Sequence, residues 1–152
     1  MRMLVAVDES ENSQRAVEYV ASLLGPIPNV SITLFHVLKP IPRELLEHGG
    51  SENPAAEALL GEELRREQDA WVEKEQESEC SVLKAPLETL RRYGFDESQI
   101  ALKFGHDDDI ARNILEEARV GQHDTIVLGR HGTSRIKRIF GGGVTDQLLC
   151  DA

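Results

Sequence analysis

The chain has 152 residues with 27 acidic and 17 basic side chains, a formal net charge of −10. That length fits one domain, spanning 1–152, with a core large enough to need no disulfide or metal staple. Hydrophobic residues at 40% and charged residues at 29% exclude a disordered chain. The short apolar runs exclude a membrane span, and the acidic balance argues against general nucleic-acid binding. The N-terminus is a poor signal peptide, because its apolar stretch is short and ends in Asp8-Glu9. Two cysteines, Cys80 and Cys150, exclude a disulfide scaffold and point to a reducing cytoplasm.

Strand and helix patterns alternate along the chain. Met3–Val7 is nearly all apolar, the pattern of a strand buried on both faces. Val17, Val20, Ala21 and Leu24 then recur at helical spacing, and Gly25-Pro26 stops that helix. Val30–Val37 reads as a second strand. Residues from Lys39 to about Gly61 contain three prolines and three glycines and read as a long loop with at most one helical turn. Glu62–Glu79, with eight acidic and three basic residues, reads as a helix with a solvated face and a thin stripe of Leu64, Trp71 and Val72. Pro86 is expected to break or restart that helix, which ends near Gly94.

Ile100, Leu102 and Phe104 alternate with Ala101 and Lys103, as in a strand with one wetter face, suited to a sheet edge. Ile110, Ile114, Leu115 and Ala118 mark a helix that Gly121 ends. In His106-Asp107-Asp108-Asp109 an Asp N-cap with first-turn acids is a better reading than a metal cluster. Thr125–Gly129 reads as a fourth buried strand, and a last helix is expected roughly over Val144–Cys150.

This alternation implies βαβ units, a parallel sheet and helices on both faces. Ligands of such sheets sit beyond the C-terminal strand ends, here after Val7, Val37, Phe104 and Leu128. The segment after the fourth strand is the richest in chemistry. Five of the twelve glycines lie between Gly129 and Gly143, and Arg130, Arg135, Lys137 and Arg138 bring four cations into nine residues. Glycine amides and a following helix start can converge on an anion, so a phosphate cradle competes with a plain surface loop. The spacing is neither a P-loop nor a Rossmann fingerprint. His36, near the end of an internal strand, suits a hydrogen-bonded structural role. His131 lies inside the glycine segment, and Cys150 has no evident base partner.

Gly129-x2-Gly132-x9-Gly142, between a strand and a helix, resembles the nucleotide signature of the universal stress protein family. Leu4-Val5-Ala6-Val7-Asp8 resembles its opening strand and Asp. Leu34-Phe35-His36-Val37 resembles its second strand, and Asp124–Gly129 its fourth. The resemblance implies an open, mostly parallel twisted α/β sheet of order 3-2-1-4, of the adenine nucleotide alpha-hydrolase-like type. It implies a protein that binds ATP or a related adenine nucleotide as a stress-response switch, with Mg or Mn accompanying the phosphates. Ala6, Val7 and Asp8 then line the adenosine pocket, and backbone at Val37 meets adenine. Gly129, Arg130, Gly132, Arg135, Gly142, Gly143, Val144 and Thr145 then hold ribose and phosphates.

Two departures stand out. The family's Ser or Thr after the last signature glycine is Gly143, so one hydroxyl contact is missing, a loss of about 0.5–1.5 kcal/mol. The sequence also stops at Ala152, where the family's fifth strand begins. That leaves an apolar fourth strand at a sheet edge, which implies a truncated chain or a homo-oligomer, normally a dimer. A nucleotide-free interaction module and a slow ATPase are the alternatives. No general base is identifiable, and no Ser-His-Asp arrangement follows from spacing.

Overall fold

A computed structural model describes residues 1–25, 27–46, 52–106 and 109–129. The glycine segment from Arg130 onward, the expected last helix and the position of any fifth strand lie outside the described residues. The described elements are β1 (Arg2–Ala6), α1 (Glu11–Leu24), β2 (Ser31–Val37), a helical turn at Arg43–Leu45, α2 (Pro54–Arg92), a second turn at Glu97–Gln99, β3 (Ile100–Gly105), α3 (Ile110–Val120) and β4 (Thr125–Leu128).

The four strands form one parallel sheet, as the alternation implied, in the order β3-β2-β1-β4 that the family resemblance implied. Period-two alternation decides which side chain goes where. Met3, Val5 and Val7 point to the face covered by α1 and α2, where they pack with Val17, Val20, Leu83 and Leu90. Leu4 and Phe35 point to the opposite face and meet Ile110, Ile114 and Leu115 of α3. β1 and β2 are therefore sandwiched, which is why β1 reads as a nearly unbroken apolar run and β2 buries even Thr33 and His36. β3 lies at one edge with Ala101, Leu102 and Lys103 exposed, in agreement with its wetter pattern. β4 ends the described sheet on the other side, and its four residues are half-buried, not fully buried as its all-apolar pattern implied. A strand paired along one side only keeps more surface than a central one.

The region from Lys39 to Arg92 departs furthest from expectation. The expected loop to Gly61 gives way to helix at Pro54, with Asn53 as N-cap accepting from Ala55 N at 3.1 Å. Proline at the first helical position fits there, because its missing N–H has no helical partner in any case. The break expected at Pro86 is absent, and one 39-residue helix runs through it. Proline in a helix interior costs about 3 kcal/mol. Leu83 and Leu90 flank Pro86 on the buried stripe, and burying each contributes about 2 kcal/mol, so packing outweighs the lost hydrogen bond. The helix stops where expected: Gly94 adopts φ 95°, and Phe95 N bonds back to Leu90 O at 3.1 Å.

Candidate functional site

The C-terminal ends of β1, β2 and β4 meet around the turn that starts α1. Ala6 pairs with Phe35 on one side and Leu128 on the other. Val7 N extends the ladder by donating to Phe35 O at 2.8 Å. The turn itself is held by short-range polar bonds. Asp8 Oδ1 accepts from Ser10 N at 2.9 Å and from Ser10 Oγ at 2.5 Å. Ser10 caps α1 by accepting from Ser13 N at 3.2 Å, and Asp8 N donates to Ser13 Oγ at 3.0 Å. The cap satisfies one of the helix's otherwise unpaired N–H groups and sets the entry angle of α1.

Gly129, just past β4, lies against this same turn. A Cβ there would come within 2.7 Å of Ser13 N and 2.8 Å of the Asn12 carbonyl carbon, so only glycine lets β4 end so close to α1. At the end of β2, Leu38 N donates to Gly105 O at 2.7 Å and ties the chain beyond Val37 to β3. Of the residues expected to hold a nucleotide, Ala6, Val7, Asp8, Val37 and Gly129 thus occupy adjacent strand ends. Val7 is buried and the other four are half-buried. Arg130, Gly132, Arg135, Gly142, Gly143, Val144 and Thr145 lie outside the described residues, as do His131 and Cys150. Asp109 is the N-cap of α3, accepting from Arg112 N at 3.0 Å, so the expected Asp cap is present, but the helix starts after the last Asp and no acid stands in its first turn.

Behind the strand ends stands a charged cluster that spacing did not reveal. His36 Nδ1 lies 2.8 Å from Val7 O, and Nε2 lies 2.8 Å from Glu79 Oε2 on α2. The two side chains are only 9% and 12% exposed. Lys39 Nζ faces the same spot, 3.5 Å from Glu75 Oε1 and 3.7 Å from Glu79 Oε1. Phe104 closes the site edge-on to the His36 ring, with centroids 6.3 Å apart. Glu75 and Glu79 had read as part of a solvated face. The available signal was their i, i+4 spacing in line with Val72 and Val82, which places both on the helix face turned toward the sheet.

Comparison with known proteins agrees with this architecture. The model of the universal stress protein family matches residues 1–152, and the chain belongs to that family. Among solved structures, a universal stress protein in complex with cAMP is 15% identical, with a TM-score of 0.62 over 99% of this chain and 90% of that one. A universal stress protein from Archaeoglobus fulgidus is 19% identical, with a TM-score of 0.55 over 100% and 87%. A family protein from Burkholderia pseudomallei is 18% identical, with a TM-score of 0.52 over 99% and 88%. At these identities the likeness concerns the fold. A search of curated proteins found no match.

Proposed function

We propose that this protein binds ATP or a related adenine nucleotide as a regulatory switch in the stress response. What carries the reading is the meeting of Ala6, Val7, Asp8, Val37 and Gly129 at adjacent strand ends, directly before the cationic glycine segment. A carboxylate only accepts, so Asp8 at the end of β1 is the type of group that adenine or ribose donors meet. Backbone near Val37 meets the base edge. Gly129, Arg130, Gly132, Arg135, Gly142, Gly143, Val144 and Thr145 supply amides and positive charge to ribose and phosphates. Mg or Mn would screen the phosphate charge when bound. The related fold in complex with cAMP supports an adenine ligand as the class.

The same reading makes the protein a cytoplasmic homodimer. β4 is an apolar strand at the end of the described sheet, and such edges favour pairing with a second copy. A strictly monomeric species in light scattering removes that part.

Mass spectrometry of ligand released from the purified protein tests the central claim, together with thermal shifts under ATP, cAMP and adenosine. A ligand at 100 times its dissociation constant should stabilise the fold by about 2.7 kcal/mol. Saturating ATP and cAMP with no shift would overturn the switch in favour of a nucleotide-free interaction module.

A further inference from the structure

We propose that His36 is a positioning residue for the nucleotide site, gripping the Val7–Asp8 peptide from behind while Glu79 of α2 fixes its ring. The inference rests on the nucleotide reading for its ligand, but not for its geometry.

A peptide unit is planar, so the direction of the Val7 carbonyl dictates the direction of the Asp8 N–H. That plane is held at both edges. His36 Nδ1 donates to Val7 O at 2.8 Å, and Asp8 N donates to Ser13 Oγ at 3.0 Å. One edge is thus tied to β2 and the other to the first turn of α1. The plane fixes where the Asp8 Cα stands, and the bonds from Ser10 N and Oγ to Oδ1 hold the side chain from there.

The ring is fixed in turn. A backbone carbonyl only accepts, so Nδ1 carries hydrogen. Nε2 faces a carboxylate oxygen at 2.8 Å, where a bare nitrogen would set lone pair against lone pair. Both ring nitrogens are therefore engaged, one by backbone and one by α2. Lys39 faces the far oxygen of Glu79, and Glu75 faces Lys39. The chain of contacts runs from α2 through Glu79 and His36 to the turn that presents Asp8.

Isosteric variants separate the two bonds. In His36→Asn the amide nitrogen stands near the position of Nδ1 and can keep the Val7 bond. In His36→Gln the amide reaches toward Nε2, keeps Glu79 and leaves Val7 O without its donor. Glu79→Gln lets a neutral amide donate to Nε2, so Nδ1 remains a donor. ATP and cAMP titrations of the wild type and these three variants are paired with amide exchange at Asp8. The expected result is a loss of about fivefold to tenfold in affinity for His36→Gln, with His36→Asn and Glu79→Gln within about threefold of wild type. Asp8 exchange should accelerate in His36→Gln alone.

Equal affinity losses in His36→Asn and His36→Gln, tracking their melting temperatures, would reduce His36 to a fold-stabilising role and overturn the proposal. So would unchanged Asp8 exchange in His36→Gln. If the wild type binds neither nucleotide, the functional reading fails on its own, and the exchange experiment still decides the positioning role.

Discussion

The two halves of α2 are one continuous helix but obey different physics. From Glu75 to Arg92 it is seated on the sheet, burying Leu83, Pro86, Thr89 and Leu90 and holding His36 through Glu79. From Pro54 to Lys74 no residue is fully buried, and Leu59 is 62% exposed. A single tie, Gln68 Nε2 donating to Leu45 O, links this half to the turn at Arg43–Leu45 among the described hydrogen bonds. The seated half tolerates an internal proline because tertiary burial holds it. The other half depends on propensity, capping and a thin stripe of Leu64, Trp71 and Val72, all half-buried. Helix in a protein thus has two sources of stability, and α2 separates them along its length.

The sharpest test of this contrast is a pair of leucines. Leu90→Ala should cost about 3 kcal/mol in chemical denaturation, because it empties a fully buried position. Leu59→Ala should change global stability by less than about 0.5 kcal/mol. Comparable losses at the two sites would mean that the first half is part of the cooperative core.

The acidic residues divide in the same way. Glu79→Ala leaves Nε2 of His36 without its partner and should cost about 2 kcal/mol, below the value for a fully enclosed pair because the site is partly open. Glu63→Ala, on an exposed position, should stay within about 0.5 kcal/mol. Urea titrations of both variants check this.

Smaller effects belong to the projecting half alone. Asn53→Ala removes the N-cap and should cost about 1 kcal/mol locally. It should be read as faster amide exchange in the first turns of α2 with little change in melting temperature. Gly61→Ala should slow exchange there by the equivalent of about 0.8 kcal/mol, since a Cβ at Gly61 meets nothing within 4 Å. If either variant moved the global melting temperature by several degrees, the two halves would be energetically one.

Much of the fold was legible because its signals are local. The apolar or alternating runs of strand length, the helical spacings in α1 and α3, and the stops at Gly94 and Gly121 all depend on nearby residues. The strand order followed from resemblance to a family. The places of Asp8 and Gly129 just past strand ends were legible too, because both residues punctuate strands. Two of the misjudged features were decided far from their own residues. Pro86 has a local penalty that only the sheet beneath it could outweigh. The i, i+4 spacing of Glu75 and Glu79 puts them on one helix face, but only the docking angle of α2 on β2 turned that face toward His36.

The sequence alone therefore determined the elements, the alternation that makes a parallel sheet, and the residues that end its strands. Those are properties of periodicity and backbone chemistry, written within a few residues of where they act. Tertiary structure alone decided that α2 runs unbroken, that two of its acids become half-buried partners of Lys39 and His36, and that a histidine on β2 grips the carbonyl before Asp8. Each of these joins residues dozens of positions apart, 43 between His36 and Glu79. Such contacts arise only when packing removes both groups from water and gives each no better partner than the other.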